Sequence, residues 1–82
     1  MVSAWVLIQT EVGKAGDVAK AVSAIDGIQR ADVTAGPFDV IAQAAAPDLN
    51  SLGGLVLTRV QSVPGTTRTL TCPLATRQPR GR

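Results

Sequence analysis

Two short segments, Ile25-Asp26-Gly27-Ile28 and Val63-Pro64-Gly65-Thr66, each close an amphipathic run and open one rich in β-formers, so the 82-residue chain reads as two β-α-β halves. In the first half, Ser3–Thr10 is too short for a globular helix and reads as a strand. Ala4, Val6 and Ile8 lie on one of its faces and Trp5 and Leu7 on the other, the pattern of a central strand covered on both sides. Between Lys14 and Ile25, the residues Val18, Ala21, Val22 and Ile25 recur at helical spacing. Asp26-Gly27 then stops the helix, glycine taking the left-handed conformation readily. A strand is expected from Ile28 to about Ala35. Gly36-Pro37 breaks it, and Phe38–Ala46 resumes as the other arm of an antiparallel hairpin.

The second half repeats the scheme. Asp48 is the expected N-cap of a helix whose stripe is Leu49, Leu52, Val56, Val60 and Val63. Gly53 and Gly54 within it each cost ~1 kcal/mol relative to alanine, which points to close approach of another backbone, a kink or a ligand, with close packing favoured over ligand contact. The last strand runs from Thr66 to Ala75, with Pro73 suited to an edge or a strand end. The right-handed crossover rule turns β-α-β-β-α-β into an α+β, ferredoxin-like fold: a four-stranded antiparallel sheet with both helices on one face. Trp5 and Leu7 are then left on the open face, and a homodimer stacking its sheets, a dimeric α/β barrel, covers them.

Composition strengthens the case for a partner. The hydrophobic fraction is 45%, much of it alanine and valine, with Trp5 and Phe38 the only aromatics. Such a short chain buries only about 60–65% of its unfolded surface and needs a staple. One cysteine, Cys72, allows no internal disulfide, and it reads as a buried structural thiol. The lack of histidine rules out imidazole acid–base chemistry and His-based metal sites, and no cofactor is expected. Gly13-Lys14-Ala15-Gly16 lacks the spacing of a phosphate loop and reads as a turn.

Of the eight basic residues, Arg77, Arg80 and Arg82 sit at the end, and residues 1–76 carry five positive against six negative charges. Residues 1–76 are therefore expected to form the domain and 77–82 a basic, disordered tail, with no direct contact to nucleic acid. No apolar run approaches a membrane span, and a free thiol suits a reducing compartment, so a cytoplasmic location away from membranes is expected.

Two clusters carry what chemistry there is. In Thr34-Ala35-Gly36-Pro37-Phe38-Asp39-Val40, a glycine-bearing hairpin sets an aromatic beside a carboxylate; Asp39 can cap local N–H groups or pair with an ammonium in a pocket. In Thr66-Thr67-Arg68-Thr69-Leu70-Thr71, alternation places Thr67, Thr69 and Thr71 on one face, either as strand filling or as a row of hydroxyls for a small polar ligand.

Trp5-Val6-Leu7-Ile8, the Gly13-Lys14-Ala15 turn, Ile25-Asp26-Gly27-Ile28, Gly36-Pro37-Phe38-Asp39-Val40, Leu52-Gly53, and Val63-Pro64-Gly65 followed by Thr67-Arg68-Thr69 together resemble the Lrp/AsnC family. The part resembled is its effector-binding, or RAM, domain, and the likeness spans roughly residues 3–75. It implies sheet-mediated homodimers, assembly into an octamer or decamer, and a free amino acid held between dimers. The implied ligand residues are Gly36, Pro37, Phe38 and Asp39, with Thr69 and Thr71 from the facing strand. Asp39 or nearby main chain would take the ammonium group, and main-chain N–H groups near Gly36 the carboxylate. Family members often carry tyrosine where Phe38 stands. The family's helix-turn-helix domain has no counterpart here; Met1 precedes the first strand by two residues, so a stand-alone form is expected, able to co-assemble with full-length Lrp/AsnC regulators. The rival reading is a small dimeric α/β-barrel enzyme of the cofactor-independent monooxygenase type, which the lack of His and Tyr disfavours.

Overall fold

The computed structural model describes residues 1–74. Its elements are β1 (Val2–Thr10), α1 (Ala15–Ser23), β2 (Ile28–Val33), β3 (Val40–Ala46), α2 (Leu49–Leu55), which runs on into a π-helical turn (Val56–Val60), and β4 (Thr66–Pro73). The sheet order is β2-β3-β1-β4, antiparallel throughout. Ala4, Val6 and Ile8 of β1 and Val40, Ala42, Ala44 and Ala46 of β3 are buried with Val18 and Val22 of α1 and Leu52, Val56 and Val60 of the second helix. Every buried strand residue thus has the same parity, so both helices lie on one face, as expected. Alanine dominates the inner side of β3, which lets the helices sit close to the sheet.

The sequence echo is a structural one. Gly27 and Gly65 share φ +96°, and the residue after each donates its N–H three residues back, Ile28 to Ile25 at 3.0 Å and Thr66 to Val63 at 3.1 Å. Each glycine carbonyl then accepts from the other half of the chain at 2.8 Å, Gly27 from Ala45 and Gly65 from Glu11. A Cβ at Gly27 would stand 2.9 Å from Leu55 Cδ1, and one at Gly65 3.1 Å from Val18 Cγ2. These are the places where the halves pack too closely for a side chain.

Gly53 and Gly54, expected to mark such an approach, have open space where a Cβ would stand. Their helix behaves differently: Gln61 N–H reaches Val56 C=O at 3.0 Å, five residues back, and the Thr58 hydroxyl bonds the Gly54 carbonyl at 2.5 Å. Such back-bonding competes with the regular ladder. The wider turn keeps Leu52, Val56 and Val60 in line at four-residue intervals and leaves Leu49, expected on the stripe, exposed. Asp48 is the N-cap as expected, its Oδ1 accepting from Ser51 N–H at 2.7 Å.

β1 is interior in the sheet, but the described residues cover only one of its faces. Trp5 is 38% and Leu70 45% exposed on the other face, where Leu7 and Ile41 are half-buried. Cys72, expected to be buried, is exposed there because the register sets it opposite Trp5. Pro73 ends β4, an edge strand, as its missing donor requires. The tail expected at 77–82 lies outside the described residues.

Candidate functional site: the β2–β3 loop and the start of β4

β2 ends at Val33 and β3 begins at Val40, so the hairpin link is a six-residue loop, 34–39, wider than the tight turn expected. Its ends are tied by Thr34 N–H to Asp39 C=O at 2.8 Å and by the Thr34 hydroxyl to Phe38 C=O at 2.9 Å. β1 runs past the point where β3 begins. In a strand, the C=O of one residue and the N–H two residues on point the same way. Ile8 C=O accepts from Asp39 N–H at 2.9 Å, and Thr10 N–H therefore faces the same neighbour after its backbone has turned away. The Asp39 carboxylate takes the place of the missing ladder acceptor, Oδ2 receiving Thr10 N–H at 2.8 Å. Gln9 completes the attachment, its amide donating to Pro37 C=O at 2.9 Å. Gly36 and Pro37 are exposed, and Phe38 and Asp39 half-buried. Of the two roles open to Asp39, the local cap is therefore filled. A carboxylate has about four acceptor positions, so further donors can still be received.

On β4, a bulge opposite Gln9/Thr10 alters the expected threonine row. Thr10 pairs with Thr66 and Gln9 with Arg68, so Thr67 is the extra, unpaired residue. The threonines facing the helix side are Thr66, Thr69 and Thr71; Thr67 is exposed. Thr69 Oγ1 accepts from the Gln61 amide at 2.9 Å, while Thr66 Oγ1 is shut off from solvent and unpartnered among the described residues. Gln61, Thr66, Thr67, Arg68 and Thr69 line an open groove of about 290 Å³.

Of the six residues singled out from sequence, the four of the loop and Thr69 lie toward one end of the sheet and Thr71 at its middle, and they share no cavity. Val40, Ile8 and Thr69 form one cross-strand row, which puts Thr69 two strand spacings, about 10 Å, from β3. Thr71 lies in the next row, opposite Val6. Only Thr69 of the six lines the groove. Sequence reading missed Gln9 and Thr10, which hold the loop, and Gln61; which residue meets which depends on the register and the π turn. Among the described residues, no three metal-ligating side chains gather, and no helix is long and apolar enough to cross a membrane.

These features define a ferredoxin-like domain with a side-chain-pinned hairpin loop at one end of its sheet and an open apolar face. The family model for the Lrp/AsnC ligand binding domain matches residues 3–77, and the chain belongs to that family. Among solved structures it is similar to TTHA0845 from Thermus thermophilus, with 25% identity over 98% of this chain and 100% of that one and a TM-score of 0.91. It is also similar to the hypothetical protein PHS023 from Pyrococcus horikoshii, with 25% identity, 94% and 93% coverage and a TM-score of 0.85. The Neisseria meningitidis transcriptional regulator NMB0573, solved as a complex with L-Met, shares the fold at 17% identity and a TM-score of 0.82; 96% of this chain matches 53% of that one. No curated protein matches the chain.

Proposed function

We propose that this chain is an amino-acid-sensing regulatory module: a non-enzymatic domain, residues 1–76, that binds a free amino acid and passes its occupancy on through oligomer assembly. The observation that carries this reading is the Lrp/AsnC ligand-binding-domain match over nearly the whole chain. The Neisseria regulator's complex with L-Met supports an amino acid as the effector class. The loop residues Gly36, Pro37, Phe38 and Asp39 form one wall of the site. Asp39, already anchored by Thr10 N–H, keeps acceptor positions for an ammonium group. Thr69 and Thr71 lie on the far side of β1, so they serve a ligand held at another copy's loop.

The oligomer is built from homodimers stacked through the Trp5–Leu7–Ile41–Leu70 face, since an open apolar patch on so small a domain calls for a partner. Dimers join into an octamer or decamer in the cytoplasm, without direct contact to nucleic acid, and can co-assemble with full-length Lrp/AsnC regulators. Calorimetric titration of the full chain with each of the twenty amino acids tests the reading. Saturable heat from one or a few of them is expected; no heat from any at millimolar concentration overturns it.

A further inference from the structure

β4 is an edge strand, and its free edge is in register with a second copy of itself. Ile8 C=O accepts Asp39 N–H from the β3 side, so Thr69, the residue opposite Ile8 on β4, turns its own N–H and C=O away from β1. Leu74 N–H, bonded to Ser3 C=O at 2.9 Å, sets the same alternation from the other end. Arg68, Leu70 and Cys72 therefore bond β1, and Thr69 and Thr71 present their backbone groups outward. Beyond them Pro73 offers a carbonyl only. Among the described residues no strand pairs with this edge.

An antiparallel copy centred on Leu70 matches that edge. Thr69 then stands opposite the partner's Thr71, and Thr71 opposite the partner's Thr69, each pair exchanging both of its backbone bonds. On the helix side these are threonine–threonine pairs. On the open face Leu70 meets the partner's Leu70 and Arg68 meets the partner's Cys72, so no like charges oppose each other. Leu70 thereby carries the apolar face of Trp5, Leu7 and Ile41 across the joint. The helix layer also leaves room. The Gln61 amide reaches Thr69 at 2.9 Å, so its flank of the second helix overlooks β4. Leu57 and Leu49, earlier on that flank at four-residue spacing, are 65% and 60% exposed. A second copy brings its own Leu49 and Leu57 to the same side of the paired strands.

We propose that β4 pairs edge to edge with β4 of a second copy and so joins face-stacked dimers into the larger assembly. An isolated pair of strands is marginal in water, so the joint forms between chains already stacked by their faces, and the inference rests on that reading. Two different two-fold contacts on one chain build an assembly larger than a dimer.

The test is disulfide trapping in the full chain. Arg68 is exposed and outside the one ion pair among the described residues, so Arg68→Cys keeps the fold. Its new thiol lies opposite the partner's Cys72 in a non-hydrogen-bonded pair, with about 4.5 Å between Cα atoms, which is within disulfide range. Face stacking alone leaves the two copies' strands about 10 Å apart, beyond that range. Across the joint, Cys72 and the partner's Cys72 are offset by about 13 Å along the strands. Mild oxidation is therefore expected to give a covalent dimer from Arg68→Cys and none from wild type, read on non-reducing gels and from the mass of the linked peptides. Thr71→Pro removes an outward N–H that no bond inside the sheet uses, and adding it to Arg68→Cys abolishes the cross-link; Thr71→Val, which keeps the N–H, leaves it. Thr71→Pro alone sediments as a dimer. In wild type the Thr69 and Thr71 amides exchange slowly with deuterium, and in Thr71→Pro the Thr69 amide exchanges freely. No cross-link from Arg68→Cys, a cross-link that survives Thr71→Pro, or fast exchange at Thr69 and Thr71 overturns the edge joint. A wild-type chain that sediments as a plain dimer overturns the joint and leaves the stacked face standing, whereas a monomer overturns both.

Discussion

Replacing Asp39 with alanine separates a carboxylate that waits for a ligand from one that also holds the loop. The wild-type Oδ2 accepts Thr10 N–H at 2.8 Å in a half-buried setting. A hydrogen bond to a charged group contributes about 1.5–3 kcal/mol net; water can reach part of the Thr10 position, which pulls the expected loss to about 1–2 kcal/mol. For a domain of this size each kcal/mol moves the melting temperature by about 4–8 °C, so a fall of roughly 5–15 °C follows. The backbone closures Thr34 N–H to Asp39 C=O and Asp39 N–H to Ile8 C=O do not depend on the side chain, and the fold survives. Asp39→Asn keeps an acceptor without the charge; neutral bonds are about half as strong, so it loses less than about 1 kcal/mol. Thermal and urea unfolding followed by circular dichroism, at one fixed protein concentration because assembly shifts the apparent stability, measures all three proteins. Alanine as stable as wild type, or alanine and asparagine equally destabilised, refutes the capping role.

Trp5→Glu places a charge at the centre of the open sheet face and is expected to shift the chain from a multiple of dimers toward monomer in sedimentation velocity, with its circular dichroism retained. Gly65→Ala meets both φ +96° and contacts at 3.1 Å and loses more than about 1 kcal/mol in urea unfolding, whereas Gly53→Ala, with open space around its Cβ, gains about 0.5–1 kcal/mol. Asp48 is held below its ordinary pKa by the Ser51 N–H and hydroxyl hydrogen bonds. A carboxyl with a lowered folded pKa contributes stability above its unfolded pKa and loses it as pH falls through the folded one. Melting temperatures taken from pH 6 down to pH 2 therefore converge for wild type and Asp48→Ala at the acid end.

The element order was legible because each half repeats one hydrophobic pattern closed by a glycine, and Gly27 and Gly65 do share one φ. Asp48 and Pro73 were legible for a similar reason, since an N-cap and a missing donor act within a residue or two. The misplaced readings depend on what crosses the chain. Gly53 and Gly54 signalled close packing, yet the contact falls at the turn glycines, and the second helix instead widens into a π turn. Residue type alone makes Cys72 a core candidate, whereas the register with Trp5 decides its face. One extra residue at Thr67 moved the inner threonine row from Thr67 to Thr66, a shift that alternation cannot reveal. The loop residues Gly36–Asp39 stood out by composition, but their anchors, Gln9 and Thr10, are nearly thirty residues away in sequence and ordinary in type.

The central claim is that the chain assembles from dimers and binds a free amino acid. Native mass spectrometry of the full chain, alone and with each of the twenty amino acids, tests both parts in one spectrum. The account predicts an even-numbered oligomer that gains the mass of at least one amino acid or changes size when it is added. A monomer, or an assembly whose mass and size none of the twenty alters, contradicts it.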